Sequence, residues 1–265
     1  MVNLLVAAAL AAAPPVGAVG TAPADQPAMF VVRDADTTIY IFGTFHALDR
    51  RSQWFGNQVR DAFEQSQELV LETLVPEQPL PNDSTPPLRV PSVTPSASFL
   101  ATTRLAIDAG QAQGMQVANG ADMVLRRVAE AEGKPVEGLE TLQLQIDMFN
   151  HIPASAAAAA RPRVGQPVGS GSINGLSKAM SDMQAAWKRG DQTVFVQMLA
   201  QLHQASPETY RMMFTERNER WADWIRARMQ APGVVFVAVG AGHLAGPDSL
   251  LVRLGERGLP SQRVN

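Results

Sequence analysis

The chain contains 265 residues, no cysteine, and a formal net charge of −3 at pH 7. The absence of cysteine excludes disulfides, thiolate metal sites and a cysteine nucleophile. The slightly acidic balance, without runs of lysine or arginine, excludes the basic surface on which nucleic-acid binding depends.

The first 24 residues are predicted to be a secretory signal peptide. An apolar, alanine-rich run ends at Ala13, and Pro14, Pro15 and small residues follow it as a cleavage zone would. The run is shorter than the roughly 20 apolar residues of a membrane span. No lysine or arginine precedes it, so the alternative is a disordered tail on a cytosolic protein. We expect an exported protein, periplasmic or secreted, with no transmembrane anchor and with residues 25–265 as a single domain.

The residues after this segment alternate between strand and helix patterns. Met29–Arg33 and residues 38–42 flank a short turn that contains aspartate, which predicts a hairpin. A helical pattern over residues 54–66 and a strand-like run over residues 69–74 complete a strand–helix–strand unit. Such a unit favours a parallel pairing of its strands.

The rest of the chain continues this alternation. Strands are predicted at 136–141 and 234–239, and helices at 121–132, 142–149, 176–189, 192–202, 207–229 and 247–257. The order predicts an α/β fold with a mixed central sheet flanked by helices. Two segments interrupt it: a Pro-rich loop at 76–95 and a low-complexity insertion at 154–175. The Pro-rich loop is either a surface excursion or a lid beside a site, and the insertion reads as a linker within the domain.

Two strand-like runs end in the same Gly-x-x-His motif. Gly43 leads to His46 near the start of the chain, and Gly240 leads to His243 near its end. The chain has only four histidines. One histidine after a strand is commonly structural, but this pseudo-repeated element makes a functional site plausible. The other two histidines lack strand support, and we interpret them as structural.

Two glutamates close other strand-like runs. Ligands of open α/β sheets bind beyond the carboxyl ends of the strands, so we expect His46, Glu72, Glu140 and His243 to gather at one edge. Two imidazoles and a carboxylate suit zinc or another divalent metal ion. The second carboxylate could then act as a general base toward metal-bound water.

An arginine and an asparagine lie on an apolar helix face. Arg217 and Asn218 follow Phe214 and precede Trp221 at helical spacing. A buried guanidinium requires a carboxylate or an anionic ligand. Arg217 therefore either forms a structural salt bridge with a glutamate or stabilises charge on a substrate oxygen.

Together these motifs resemble the TraB/GumN family, which includes the Tiki-type proteins. The resemblance extends over about residues 30–264, and it implies an α/β fold with a pseudo-repeated strand–histidine element. It rests on residues 41–46, 71–72, 138–141, 145, 186–191, 216–218 and 239–248.

From the Tiki branch, the resemblance implies a divalent-metal-dependent peptidase site. It assigns His46, Glu72 and His243 as metal ligands, with Glu140 as a further ligand or as the base. The metal would be manganese, cobalt or zinc.

The resemblance also places Arg217 and Asn218 in the pocket, as residues that assist the reaction. We therefore expect a metal-dependent hydrolase of the cell envelope that acts on a peptide or another small envelope substrate. The alternative is a non-catalytic envelope protein that binds haem or a polysaccharide in the same cleft.

Overall fold

The computed structural model describes residues 25–74, 110–111, 113–150 and 170–264. The predicted signal peptide 1–24 and the predicted Pro-rich loop 76–95 lie outside these residues. So do residues 154–169 of the predicted low-complexity insertion. The extent of the single predicted domain therefore stays a prediction.

A mixed six-stranded sheet forms the centre of the fold, with the strand order β4-β3-β5-β2-β1-β6. β1 pairs antiparallel with β2 and β6, and the other neighbours pair in parallel. This arrangement confirms the predicted α/β fold with a mixed sheet. The strands are β1 (Met29–Arg33), β2 (Thr37–Thr44), β3 (Glu68–Thr73), β4 (Val136–Glu140), β5 (Gly233–Gly240) and β6 (Gln262–Arg263).

The predicted hairpin is formed by β1 and β2. The side chain of Asp34 accepts hydrogen bonds from the backbone N–H groups of Asp36 at 3.2 Å and Thr37 at 2.8 Å. Aspartate favours turns because its carboxylate can bind the backbone ahead of it in this way. The turn therefore fixes the register of the first two strands.

The predicted pairing of the second and third strands differs from the observed one. β2 and β3 run in the same direction, but β5 lies between them and pairs with both. Residues 235–239 of β5 are almost completely buried. A strand that is apolar on both faces belongs in the middle of a sheet covered on both sides, and this displaces the local pairing.

Helices cover both faces of the sheet, and none in the described ranges is long and apolar enough to cross a membrane. Helix α4 begins inside the segment predicted to be low-complexity. The helices are α1 (Asn57–Gln65), α2 (Ala121–Ala131), α3 (Leu142–Asn150), α4 (Ser170–Lys188), α5 (Thr193–Ala205), α6 (Pro207–Tyr210), α7 (Glu216–Arg228) and α8 (Leu250–Glu256).

Two apolar clusters hold these layers together. The cluster on one face of the sheet includes Phe42, Phe63, Leu125, Trp187 and Phe236. The cluster on the other face includes Ile39, Val237, Trp221, Ile225 and Leu254. The alternating side chains of β2 and β5 contribute to both clusters, which places these strands at the centre of the fold.

A π-helical segment, Arg211–Thr215, joins α6 to α7. The sequence predicted one helix over residues 207–229, and the three segments do follow one another without a break. A π-helical turn contains more residues than an α-helical turn, so it rotates the residues that follow it around the axis. Such turns are frequent at functional sites, and this one directly precedes the predicted site residue Arg217.

The parallel strands bring the predicted site residues to one edge of the sheet. β2, β3, β4 and β5 all run in the same direction, so their carboxyl ends lie together. Glu72 and Glu140 lie at the ends of β3 and β4, while His46 and His243 follow β2 and β5. This is the edge at which open α/β sheets bind ligands.

We predict that Phe236→Ala lowers the free energy of unfolding by about 3–5 kcal/mol. The Phe236 ring is fully buried and packs on Phe42 and Phe63, with centroids at 5.9 and 5.5 Å. Urea unfolding followed by circular dichroism measures the loss. Val252→Ala, at an exposed position, is the control and should change stability by less than about 0.5 kcal/mol. Similar losses in both variants would contradict the central position of β5.

Candidate functional site

A buried arginine, Arg217, lies at the centre of the site. Its Nε donates to Glu140 Oε2 at 2.9 Å and Oε1 at 3.1 Å, and a terminal nitrogen donates to Glu72 Oε2 at 2.9 Å. The Arg217 side chain is 6% exposed. One cation therefore joins carboxylates from two neighbouring strands, which satisfies the need of a buried guanidinium for partners.

Both oxygens of the Glu140 carboxylate accept hydrogen bonds. Besides Arg217, it accepts hydrogen bonds from Arg220 at 3.1 Å and from the Trp221 indole nitrogen at 3.2 Å. These donors lie three and four residues after Arg217, on the same face of α7. The sequence placed Trp221 on this face but did not identify it or Arg220 as a partner of Glu140. The geometry suits a role in holding Arg217 in place.

His243 is held between Asn218 and Arg217. Its Nδ1 lies 2.7 Å from Asn218 Oδ1, and its Nε2 lies 3.2 Å from a terminal nitrogen of Arg217. The Asn218 amide nitrogen donates to the carbonyl of Asp248 at 2.7 Å, so its oxygen is the atom that faces His243. This assigns the proton of the neutral imidazole to Nδ1 and leaves Nε2 as an acceptor for Arg217.

The surroundings of His243 favour its neutral form. Burial lowers the pKa of His243 to about 3, and the positive charge of Arg217 acts in the same direction against the charge of Glu72. The ring packs against Phe214 and Trp221, with centroids at 4.9 and 4.4 Å. An apolar cage of this kind disfavours imidazolium.

His46 occupies the open side of the site. Its Nδ1 lies 3.3 Å from Asp122 Oδ1, a contact too poorly aligned to be a good hydrogen bond. Desolvation lowers the pKa of His46, but the interaction with Asp122 and the charge of Glu72 outweigh it and raise the pKa above its usual value. The His46 side chain is 62% exposed, so water screens these charges and remains in contact with the imidazole.

The sequence did not identify Asp122. It lies in the first turn of α2, where Gly120 brings the helix against the loop that carries His46. An ideal Cβ on Gly120 would lie 2.3 Å from the carbonyl oxygen of His46, so glycine is required there. No local pattern marks Asp122 as a partner of a histidine so far away in the sequence.

The Glu72 carboxylate joins the buried and open sides of the site. Its Oε1 accepts the backbone N–H of Gly240 at 2.5 Å, while Oε2 binds Arg217. Burial opposes ionisation, but nearby positive charge and the Gly240 N–H hold the pKa of Glu72 well below its usual range. Because His243 is neutral, this positive charge comes mainly from Arg217. Glu72 is therefore a carboxylate at neutral pH.

Three of the predicted residues meet above Gly240. An ideal Cβ on Gly240 would lie 3.1 Å from Glu72 Oε1, 3.4 Å from His46 Nε2 and 3.8 Å from His243 Cδ2. Arg217 and Asn218 contact this group directly, and Glu140 is connected to it through Arg217. The structure therefore brings together all six residues that the sequence singled out.

A cavity of about 140 Å³ opens at this point. The predicted residues His46 and Glu72 line it together with Asp122, whereas the predicted residues Glu140, Arg217, Asn218 and His243 do not. The lining residues are Thr44, His46, Leu71, Glu72, Thr73, Asp122, Met123, Arg126, Gln145 and Ala238.

The predicted metal ligands do not fit a bound metal ion in this arrangement. In the described ranges, no group of three or more histidine, aspartate or glutamate side chains is placed to hold one. Arg217 donates to Glu72 Oε2 and to His243 Nε2, which are donor atoms that a metal would need. Its positive charge also opposes a second cation at the same atoms. The side chains converge as expected, but on a guanidinium.

The family model described as the TraB/PrgY/gumN family matches residues 28–89 and 85–263 of the chain. No curated protein and no solved structure matches this chain significantly.

We predict that Arg217→Met lowers the free energy of unfolding at pH 7 by about 3–5 kcal/mol, because it leaves buried carboxylates unpaired. Arg220→Met is the matched control. Arg220 also donates to Glu140, but its side chain is 48% exposed, so the expected loss is at most about 1 kcal/mol. Urea unfolding of both variants provides the comparison.

Adding Glu72→Gln and Glu140→Gln to Arg217→Met should recover part of the lost stability, since no uncompensated charge then stays buried. Equal costs for Arg217→Met and Arg220→Met would show that the buried network does not hold the site together.

Proposed function

This chain belongs to the TraB/PrgY/gumN family, and we propose that it is a hydrolase that cleaves peptide bonds at the cavity above Gly240. The observation that carries the proposal is the convergence of His46 Nε2 and Glu72 Oε1 on one point at that cavity. An imidazole beside an ionised carboxylate, in contact with solvent, is a common arrangement for general acid–base catalysis.

His46 is the proton-transfer group in this proposal. Its neutral form, whose fraction increases as the pH rises toward the raised pKa of His46, takes a proton from water as the water oxygen attacks the substrate carbonyl carbon. The imidazolium that forms lies between the carboxylates of Asp122 and Glu72, which stabilise its charge. It then gives the proton to the departing amine as the carbon–nitrogen bond breaks.

The buried residues act on this reaction indirectly. Arg217 fixes Glu72 as an ionised carboxylate, and Glu140, Trp221 and His243 fix Arg217. The sequence predicted Glu140 as the base, but both of its oxygens accept hydrogen bonds and it does not line the cavity. We therefore assign the base to His46, and we assign Glu140, Arg217 and Asn218 as positioning residues.

A peptide substrate in the cell envelope follows from the sequence resemblance and from the predicted export. Export itself stays a prediction. The alternative of a haem-binding or polysaccharide-binding protein gains no support from this cavity. Its volume of about 140 Å³ is below the roughly 300–1,000 Å³ that encloses a drug-sized ligand.

We predict that His46→Gln reduces kcat/KM for a fluorogenic peptide by about 10²–10⁴-fold, the range typical for loss of a general base. Asp122→Asn should reduce kcat by about 10–100-fold with little change in KM, because it acts through His46. His203→Gln is the control, since His203 stacks on Tyr210 and does not line the cavity. Full activity of folded His46→Gln would overturn the proposal.

The prediction of a bound metal ion is tested by calorimetric titration of EDTA-treated protein with manganese, cobalt and zinc. Because Arg217 binds two of the predicted ligands, we expect no stoichiometric binding and no loss of peptidase activity in EDTA. Stoichiometric binding that is lost in both His46→Gln and His243→Gln would show that a metal ion can displace Arg217 from Glu72 and His243. That result would support the predicted metal site.

A further inference from the structure

Two buried polar atoms beside the cavity have no hydrogen-bond partner among the residues that the structure describes. They are Oδ1 of Asp122 and Oγ1 of Thr73, and both residues line the cavity. The contact of His46 with Asp122 Oδ1 is too poorly aligned to satisfy that oxygen. A buried polar atom without a partner destabilises the free protein. The two atoms therefore indicate a place where a ligand completes the hydrogen bonds.

The two atoms differ in the partner that they can bind. A carboxylate oxygen only accepts hydrogen bonds, so Asp122 requires an N–H or O–H group from the ligand. The hydroxyl of Thr73 can also donate, so it can bind a carbonyl oxygen. The side-chain amide of Gln145, which lines the same cavity, can do both. A carboxamide group carries a carbonyl oxygen and N–H donors, and it matches this set.

The charged residues on the cavity wall disfavour a charged ligand of either sign. Glu72 and Asp122 are acidic, while His46 and Arg126 are basic. An anion in the cavity would meet like charge from the first pair, and a cation would meet it from the second. Either ion would also lose part of its hydration on entry. A neutral polar group avoids both effects.

The volume of the cavity suits a short side chain. About 140 Å³ corresponds to about five water molecules at roughly 30 Å³ each in the liquid. The side chain of glutamine, a carboxamide on a short methylene stem, is of this size. The cavity can therefore take one such side chain from a bound peptide.

We propose that this cavity binds the carboxamide side chain of a glutamine in a peptide substrate, with Asp122 and Thr73 as its contacts. The inference rests on the proposed hydrolase function and narrows it to peptide bonds next to glutamine. The carboxamide N–H donates to Asp122 Oδ1, and its carbonyl oxygen accepts from the Thr73 hydroxyl. Because a carboxylate oxygen can accept more than one hydrogen bond, the contact of Asp122 with His46 remains. The adjacent peptide bond is thereby held beside the imidazole.

The test compares internally quenched alanine peptides whose central residue is glutamine, methionine, glutamate or lysine, on the full chain. Methionine has nearly the length of glutamine but no carboxamide, and the other two carry opposite charges. We expect the glutamine peptide to be cleaved with a kcat/KM about 10–100-fold above the methionine peptide, the range of two neutral hydrogen bonds. The glutamate and lysine peptides should also be cleaved more slowly than the glutamine peptide. Equal rates, or a faster rate with either charged residue, would overturn the carboxamide site.

A variant of Thr73 tests the contact itself. Thr73→Val removes the hydroxyl and keeps the branched shape, so it should reduce the preference for glutamine over methionine by about 3–10-fold, mainly by raising KM. Thr73→Ser keeps a hydroxyl and should retain the preference. Thr38→Val is the matched control, since Thr38 is a half-buried strand residue that does not line the cavity. An unchanged preference in Thr73→Val would remove Thr73 from the site.

Thermal unfolding shows whether the hydroxyl is free to bind a ligand. Because Thr73 Oγ1 has no partner in the described part of the free protein, Thr73→Val should keep or raise Tm. Thr209→Val is the comparison, because the Thr209 hydroxyl lies 2.7 Å from the Ser206 hydroxyl, and it should lower Tm. A fall of Tm in Thr73→Val as large as that in Thr209→Val would show that the Thr73 hydroxyl is already bonded, and it would overturn the proposed contact.

Binding measured without turnover separates this inference from the proposed function. Labelled protein is titrated with N-acetylglutamine methylamide and N-acetylmethionine methylamide and followed by NMR. Tighter binding of the glutamine compound, weakened in Thr73→Val, without cleavage of any peptide would support the site and overturn the hydrolase. Cleavage without a preference for glutamine would overturn the site and leave the hydrolase standing. Equal binding without cleavage would overturn both.

Discussion

The site is organised by the pairing of one buried guanidinium with two carboxylates. Glu72 and Glu140 come from neighbouring strands, and their side chains would repel each other without a cation between them. Arg217 joins them and also donates to His243. The ends of β3, β4 and β5 and the start of α7 are therefore held in one geometry by a single side chain. Because the pairing is buried, solvent screens it little.

The arrangement divides the site into a closed half and an open half. In the closed half, Arg217, Glu140 and His243 satisfy one another and are shielded from water. In the open half, His46 and Asp122 line a cavity that admits solvent. Glu72 belongs to both halves, through Oε2 and Oε1 respectively. The closed half supplies a rigid support, and the proposed reaction takes place in the open half, where groups held in advance act most effectively.

Much of this could be predicted because strand ends are visible in a sequence. His46, Glu72, Glu140 and His243 each follow or close a run of apolar residues, and parallel strands bring such positions to one edge. Asp122 and Arg220 could not be predicted in the same way. Each meets its partner across a contact between distant segments, and such contacts leave no local periodicity.

The sequence by itself determined the kind of each main element and the edge at which its polar residues gather. These features depend on the repeat of apolar residues and on turn residues, which act over a few positions. Only the tertiary structure decided that β5 lies between β2 and β3, and that Nε2 of His243 faces Arg217. Both outcomes depend on burial. A strand that is apolar on both faces is most stable in the centre of the sheet. A buried imidazole must form hydrogen bonds with whichever polar groups its neighbours leave unpaired.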